Sequence, residues 1–327
     1  MTPTTTLDRS TYARPHATDR ERATAWTVRV HDRLTELFTT LDGGETFRED
    51  PWAREGGGGG VSRVLLEGRV FEKAGVNRST VEGLLPAEVW RRLGGRGEGE
   101  GAMRFFASGV SVVAHPRSPK VPTVHLNVRY FELADLDGRP VDAWFGGGTD
   151  LTPMWPHADD ARHFHRALRG VCDGFHAGLY PRFKPWCDDY FVNKHREGER
   201  RGVGGIFYDH VRPAEDASGM PMDTWHAFAE AVGTSLVDAY GPIVERRRGE
   251  AYGEAARALQ LERRGRYAEF NLLHDRGTLF GLQTNARIES VLMSLPPLAA
   301  WPYDPQHAPG TPGAELRAML VPQDWAA

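Results

Sequence analysis

The sequence predicts an α+β fold in which helices pack against an antiparallel sheet. Segments that alternate between polar and apolar residues, as strands do, are interspersed with segments whose apolar residues recur at helical spacing. Two connections between predicted strands, 115–123 and 273–278, are too short for the crossover that parallel strands require. The strands on either side of these links must therefore pair antiparallel, and helices must cover the apolar face of the sheet.

Length, charge and composition are those of a soluble globular chain. The 327 residues are 40% hydrophobic and 26% charged, close to ordinary globular values. A formal net charge of -4 gives no general electrostatic support for binding nucleic acid. No uninterrupted apolar run approaches the roughly 20 residues that span a bilayer. We therefore expect no nucleic-acid partner and no integral membrane segment.

The cysteines and the N-terminal residues predict a cytoplasmic location. Cys172 and Cys187 are too few for the disulfide framework of a small secreted domain, so we expect free thiols in a reducing compartment. The first twenty residues lack the apolar core of a secretory signal. They also lack apolar periodicity, so residues 1–20 are predicted to form a disordered tail.

The first folded elements are predicted to be a helix, a glycine run and a strand. From Arg22 onward, apolar residues recur every three or four positions, which predicts a surface helix ending near residues 41–44. The five glycines at 56–60 are typical either of a flexible linker between domains or of a backbone that approaches another group closely. Residues 61–77 alternate and carry β-branched side chains, which predicts a strand.

A hairpin is predicted over residues 105–131. Its turn is the proline-containing segment 116–122, and the glycine-rich stretch 94–101 before it is typical of an exposed loop. The returning strand places polar residues on one face and apolar residues on the other, namely His125, Asn127 and Arg129 opposite Leu126, Val128 and Tyr130. This alternation fits either a solvent-facing surface or the floor of a pocket.

Helices dominate the middle of the chain. Apolar spacing predicts helices over 159–179, 181–201, 223–248 and 250–264, with Gly233, Gly241 and Pro242 able to break the third, and a short strand over 202–208. Residues 267–273 and 278–283 alternate and are predicted to be two strands around a tight turn at 274–277. Asp275 and Arg276 would then lie at a hairpin tip, where such a pair is ordinary in a surface turn but could also bind a ligand. The proline-rich C-terminus predicts loops.

Short catalytic motifs are missing, although histidines are frequent. The P-loop, G-x-S-x-G and H-E-x-x-H patterns do not occur. The chain has 13 histidines, and a zinc or manganese site could collect some of them. None shows the paired spacing of a zinc motif, so ordinary core or surface histidines are the favoured interpretation.

Several long strings resemble the oxygen-dependent coproporphyrinogen III oxidase family. They are WFGGGTDLTP (144–153), KPWCDDYFVNKHREGERRGVGGIFYD (184–209), YAEFNLLHDRGTLFGLQT (267–284) and RIESVLMSLPP (287–297), with shorter strings at 54–65, 71–77, 109–116 and 125–131. The strings occur in the order typical of the family, and the resemblance extends from about Leu37 to Trp301.

The resemblance implies a fold, a reaction and an assembly. The fold would be a single domain over residues 21–327, built on a large, curved antiparallel sheet flanked by helices on both faces, and two copies would form a homodimer. The reaction would use dioxygen to convert two propionates of coproporphyrinogen III into vinyl groups, giving protoporphyrinogen IX in haem biosynthesis. The family needs no organic cofactor, and the divalent, manganese-like metal cation proposed for some members is not obligatory.

The resemblance also assigns candidate residues, position by position. The expected catalytic residues are His125, matching a proposed proton donor, and Asp275 with Arg276, matching a pair proposed to bind pyrrole nitrogens and a propionate. The expected substrate contacts are Ser111, Asn127, Val128, Arg129, Asn285, Ala286 and Arg287, and Asn285 departs from the glycine usual in the family. The expected ligands of a bound metal are His115, His125, His165 and His195.

These residue types suit the implied chemistry. Arginine forks bind carboxylates bidentately, which fits a substrate with four propionates. The carboxylate of Asp275 can accept hydrogen bonds from pyrrole N–H groups. Deprotonation of a pyrrole nitrogen would let an adjacent carbon react with dioxygen, so the substrate itself would be the reductant.

Two other functions remain compatible with the sequence. One is a metal-dependent oxygenase that uses the histidine set, and the other is a non-catalytic tetrapyrrole-binding protein. A carrier needs the arginines but not Asp275, so the joint presence of His125, Asp275 and Arg276 favours the enzyme.

Overall fold

An antiparallel sheet forms the centre of the computed structural model, which describes residues 18–97, 101–283 and 287–327. Within these ranges six strands follow one another: β1 (Arg48–Ala53), β2 (Gly58–Leu66), β3 (Phe71–Leu85), β4 (Met103–Pro116), β5 (Thr123–Ala134) and β6 (Pro140–Thr152). A small hairpin of β7 (Val192–Asn193) and β8 (Glu199–Arg200) precedes β9 (Gly204–Val211), which pairs with β6 as the seventh strand of the sheet. Every pair in the sheet is antiparallel, as predicted.

Helices cover both faces of the sheet, so the predicted α+β class is confirmed. On one face lie α1 (Asp19–Asp42) and α5 (Met222–Thr234), which contact β3 to β6. On the other face lie α8 (Glu254–Leu273), α9 (Arg276–Gln283) and α10 (Ile288–Leu292). The remaining helices are α2 (Ala87–Arg92), α3 (Ala158–Asp173), α4 (Leu179–Tyr190), α6 (Leu236–Ala239), α7 (Gly241–Arg247) and α11 (Pro312–Met319).

The first helix begins and ends where its capping residues dictate. Thr18 and Glu21 form a capping box at its start, and Gly43, with φ 62°, ends it. Its apolar stripe is buried against the sheet, as the periodicity predicts, through Trp26, Val30, Leu34 and Phe38. Most of the predicted tail, residues 1–17, lies outside the described residues, and Asp19 and Arg20 belong to the helix rather than to a tail.

The glycine run is not a linker between domains. Gly58 to Gly60 already belong to β2 and pair with Thr80 and its neighbours on β3. Gly58 has φ +81°, and a Cβ there would overlap the carbonyl oxygen of Thr80. Close backbone approach, the alternative expectation, is therefore the correct one. The single strand predicted over 61–77 is in fact the end of β2 and the start of β3.

The two strands predicted over 267–283 are wrong. Residues 267–273 are the last turns of α8, and 276–283 form α9. The helical period is hidden because residues 262–271 are buried on every side of α8, charged residues included. The helix continues past Gly265. A glycine is suited to this position because a Cβ would lie only 2.5 Å from the carbonyl oxygen of Ala300.

Buried charges fix α8 to the sheet. Glu72 of β3 is 5% exposed and accepts hydrogen bonds from Arg257 at 2.8 Å and Arg264 at 2.7 Å. Arg264 is completely buried, so loss of its partner would leave an uncompensated charge at a cost of several kcal/mol. This network holds α8 over one end of the sheet.

Two other predicted helices are shorter than the sequence suggested. The segment 223–248 divides into α5, α6 and α7 near the glycines and proline named above. The helix predicted over 181–201 ends at Tyr190, where the chain turns into the β7–β8 hairpin. Among the described residues, every helix is too short or too polar to cross a bilayer.

Candidate active site

One row of residues crosses the whole sheet on a single face. Going from β1 to β9, the register pairs Asp50, Ser62, Asn77, Ser111, Asn127, Gly148 and Phe207 in turn. Directly paired residues share a face of an antiparallel sheet, so all seven lie on the same side. We call this side the open face, because α8 to α10 leave Ser111 and Asn127 only half-buried, whereas α1 and α5 bury the opposite side.

The next row of the open face is rich in glycine. It pairs Trp52, Gly60, Ser79, Gly109, Arg129 and Gly146 in turn. Neighbouring strands lie about 4.8 Å apart, so this row extends for about 19 Å from Gly60 to Gly146. The two rows together form what we call the floor. The Trp52 ring covers Gly60, and Ser290 of α10 covers Ser62. Over β3 to β5, the small and half-buried Ser79, Gly109 and Ser111 leave room for a large ligand to lie close to the backbone.

Arginines stand at both ends of the floor. At the β1 end Arg287 pairs with Asp50. At the β9 end Arg129 donates to Asn127 at 2.8 Å and to Asp209 at 2.6 Å. Arg276 lies 3.5 Å from the second oxygen of Asp209 and is 58% exposed. The floor therefore suits a ligand with an uncharged body and carboxylates on more than one side.

A histidine held by a buried carboxylate lies beside the floor. His125 pairs with Asp150 across β5 and β6, and its Nδ1 is 2.8 Å from Asp150 Oδ1. Asp150 is 1% exposed and accepts two further hydrogen bonds, both 2.8 Å, from Arg201. An ionised carboxylate can only accept, so Nδ1 carries the proton and Nε2 of His125 is left for a ligand.

Arg201 keeps the carboxylate charged. Burial alone would raise the pKa of Asp150, but Arg201 and His125 outweigh burial, and the pKa lies below its usual value. The guanidinium packs among the rings of Phe191, Tyr267 and Phe270 at 4.2, 4.4 and 4.9 Å. Sequence reasoning missed both Asp150 and Arg201 as site residues. The one available signal for Asp150 was its position on β6, where it shares a face with Gly146 and Gly148 of the triple-glycine string 146–148.

Asp275 lies at a helix start, not at a hairpin tip. Its Oδ2 accepts from the backbone N–H of Thr278 at 2.7 Å, which makes Asp275 the N-cap of α9. Its Oδ1 accepts from the Tyr190 hydroxyl at 2.9 Å. A carboxylate offers about four acceptor positions, so about two remain for a ligand.

Arg276 is guided toward the floor by aromatic rings. Tyr190 and Phe207 stack at 4.1 Å, and the Arg276 guanidinium lies 5.0 Å and 5.9 Å from their centroids. This contact directs Arg276 to Asp209 and Arg129. The structure thus brings the adjacent pair Asp275 and Arg276 to Arg129, which is far from them in the sequence.

The remaining predicted substrate contacts divide into three groups. Ser111 and Asn127 lie on the floor. The Val128 side chain is fully buried on the opposite face, near Gly233 of α5, so Val128 could meet a ligand only through its backbone. Asn285 and Ala286 lie outside the described residues.

The four histidines of the predicted metal site are not assembled. His115 is engaged by Ser294 O and Thr123, and His165 by Val203 O and Tyr180. In both, one ring nitrogen donates and the other accepts, so neither has a nitrogen for a metal. His195 is held by His274 and Glu269. The described residues contain no group of three His, Cys, Asp or Glu placed to hold a metal. The four histidines as they are arranged here therefore do not form a metal-binding site.

Comparisons with known proteins point to one family. The family model described as coproporphyrinogen III oxidase matches residues 22–325. An oxygen-dependent coproporphyrinogen-III oxidase of Synechococcus sp. (strain CC9605) is 48% identical over 332 aligned positions, covering 95% of this chain and 89% of that protein. The chloroplastic coproporphyrinogen-III oxidase 1 of Arabidopsis thaliana is 48% identical over 302 positions, covering 90% and 76%.

The buried His165 should make stability depend on pH. Burial lowers the pKa of His165 from 6.5 to about 3, so the unfolded chain takes up a proton more readily than the folded chain. The contribution of the neutral His165 ring to the unfolding free energy is therefore complete above pH 6.5 and is lost as the pH falls toward 3. We expect His165→Gln to flatten the decline of the unfolding free energy by up to about 1.4 kcal/mol per pH unit.

Urea unfolding between pH 7 and pH 4 measures this slope. Tyr180→Phe is the control, because it removes the hydroxyl partner but keeps the titrating ring, and it should be less stable with an unchanged slope. Equal slopes in wild type and His165→Gln would contradict the assignment.

Proposed function

This chain belongs to the coproporphyrinogen III oxidase family, and from that premise we propose that its open face binds coproporphyrinogen III. The chain then uses dioxygen to convert two propionate arms into vinyl groups. Each arm gives up carbon dioxide, two electrons and one proton, and dioxygen takes up the electrons. The product is protoporphyrinogen IX, and no organic cofactor takes part.

The floor with arginines at both ends is the observation that carries this proposal. Its middle offers backbone, glycine and serine to a tetrapyrrole body across about 19 Å. Arg129 and Arg276 at one end and Arg287 at the other suit propionates that project from the body. A small substrate would leave most of this surface without contacts.

Asp275 is proposed to hold the pyrroles. Two of its acceptor positions are taken by Tyr190 and Thr278, and the others accept from pyrrole N–H groups. Two N–H groups converging on one carboxylate would bend the flexible porphyrinogen into a saddle. An electron-rich pyrrole held in this way reacts with dioxygen, and loss of carbon dioxide completes the vinyl group.

His125 is proposed to move the proton. Its Nε2 accepts the proton that leaves the propionate arm and passes it to the reduced oxygen. The Asp150 carboxylate stabilises the imidazolium formed in between and keeps the ring in one orientation. Arg201 keeps Asp150 from taking up that proton itself.

The two alternatives fit the site less well. A metal-dependent oxygenase would need the four histidines together, and their protein partners engage both nitrogens of His115 and His165. We therefore propose that any bound divalent cation is not obligatory. A carrier would have no use for the His125–Asp150–Arg201 arrangement. The location we propose is the cytoplasm, because both buried cysteines are free thiols.

Turnover of coproporphyrinogen III with and without dioxygen tests the function. We expect vinyl product and carbon dioxide only when oxygen is present, and unchanged turnover after exhaustive chelation. Absence of turnover by the untreated protein would contradict the function. Turnover lost on chelation and restored by one metal alone would instead contradict only the claim that no metal is required.

Asp275→Asn should fold normally and lose most turnover. Asparagine caps helices as well as aspartate does, so α9 should survive. The amide loses the charge and turns N–H donors toward the pyrrole N–H groups. Loss of a charged partner in a closed site costs about 3–5 kcal/mol, so kcat should fall by roughly two orders of magnitude or more.

The controls for this variant are circular dichroism, to establish folding, and Arg276→Lys. Arg276→Lys keeps the charge and loses only the bidentate donor geometry of the guanidinium, so it should lower kcat less than Asp275→Asn does. Near-normal kcat in a folded Asp275→Asn protein would remove Asp275 from the mechanism and leave His125 as the main candidate.

We also propose that the chain forms a homodimer. The apolar helical faces of 223–264, which suggested this from the sequence, are covered within the chain itself. A different surface supports it: a cleft of about 850 Å³ that we call the C-terminal cleft. In it Trp301, Tyr303 and Val321, which are 57%, 100% and 60% exposed, lie among charged side chains such as Arg196 and Arg266. Exposed apolar groups so close together are typical of an interface.

Light scattering at micromolar concentration should give twice the chain mass. Tyr303→Asp should shift the mass toward the monomer, whereas Leu136→Asp, an equally drastic change of an exposed residue elsewhere, should not. A monomeric wild-type protein would contradict the proposal.

A further inference from the structure

A β-bulge interrupts the edge strand directly beside the floor. The register of β6 and β9 shifts between the pairs Gly147–Tyr208 and Phe145–Val211, so two residues, Asp209 and His210, oppose the single Gly146. His210 has φ 50°, an unusual backbone conformation for a residue other than glycine. Bulges next to active sites commonly redirect a side chain, and this one turns Asp209 toward the floor.

Arg129 reaches Asp209 by lying over Gly146. A Cβ at position 146 would be 2.7 Å from Arg129 Nη2, 2.8 Å from Arg129 Cζ and 2.8 Å from Asp209 Oδ1. The guanidinium and the carboxylate therefore meet directly above the glycine hydrogen. This close approach explains why position 146, the first of the three consecutive glycines 146–148, is a glycine.

Asp209 is the shared partner of the two arginines. Its side chain is 9% exposed, one oxygen accepts from Arg129 at 2.6 Å, and the other lies 3.5 Å from Arg276. The backbone N–H of His210 also donates to it at 3.0 Å. Burial alone would raise the pKa of Asp209, but Arg129, His210 and Arg276 hold it well below its usual value, so the group stays ionised.

The pair of arginines keeps unused donors. Arg129 directs one N–H to Asn127 and one to Asp209, out of the five that a guanidinium carries. Arg129, Arg276 and Asp209 together carry a net charge of +1, because two guanidinium groups share one carboxylate. A second carboxylate, from a ligand, can be bound there without displacing the first.

We propose that Asp209, together with the lack of a side chain at Gly146, is the positioning device that aligns Arg129 and Arg276 to bind one carboxylate of the substrate. The proposal rests on the proposed function and adds a residue pair to it. Asp209 does not touch the reacting arm in this scheme. Its loss should weaken binding of a carboxylated tetrapyrrole and leave the chemical step largely unchanged.

Gly146→Ala and Asp209→Ala separate positioning from charge. Gly146→Ala keeps every charge, and the atoms it displaces are the side-chain ends of Arg129 and Asp209 rather than backbone, so the fold should survive. Asp209→Ala removes a negative charge, which by itself would tighten binding of an anion. Weaker binding by Asp209→Ala therefore indicates lost alignment, and Gly146→Ala disturbs the same alignment with no change of charge.

The measurements are KM and kcat for coproporphyrinogen III and, without turnover, the Kd of coproporphyrin III from fluorescence quenching. We expect both variants to raise KM and Kd by about tenfold or more while kcat stays close to wild type. The double variant should be no weaker than Asp209→Ala alone, because both changes act on the same alignment.

Asp160→Asn is the matched control. Asp160 of α3 is in a comparably buried pair with Arg247 of α7 at 2.9 Å, on helices that carry no residue of the floor, so its loss should leave KM and Kd unchanged. Tighter or unchanged binding by folded Asp209→Ala, or a fall in kcat alone, would overturn the proposal. Absence of turnover by wild type would instead contradict the proposed function.

Discussion

The buried ion pair between Asp150 and Arg201 is the interaction on which the site depends. Both side chains are almost fully enclosed, at 1% and 2% exposure, so neither could carry its charge there alone. The pair is complete only when β6, the segment after β8 and α8 are all in place, since Arg201 also donates to Asn271 of α8 at 2.7 Å. Folding and assembly of the site are therefore one event, and the orientation of His125 follows from it.

The two faces of the sheet divide stability from function. The face under α1 and α5 carries the large apolar cluster that supplies most of the burial on folding. The open face has glycine and serine where a stable sheet would have branched or aromatic side chains, so its middle contributes little to packing. Charged networks on the same side, such as Glu72 with Arg264, fix the helices that border the floor. A rigid sheet whose packing lies on the other side can tolerate such an open surface.

Much of this arrangement follows from the sequence, but the pairings do not. The alternation at His125, Asn127 and Arg129 predicted one polar strand face correctly, because a strand places every second residue on the same side. Asp275 was assigned to the wrong element, because the period of a helix buried on all sides cannot be read from its apolar residues. The family resemblance supplied candidate residues one by one. It could not show that Asp209 joins two of the arginines, because a bulge and a close approach over Gly146 depend on register.

A crystal structure of the chain with coproporphyrin III would test the central claim most directly. We predict that the ring lies on the floor between Ser79 and Gly146, with one carboxylate at Arg129 and Arg276 and a propionate arm within hydrogen-bond distance of His125 Nε2. A ring bound instead in the C-terminal cleft beside Trp301 and Tyr303, with the floor empty, would contradict it.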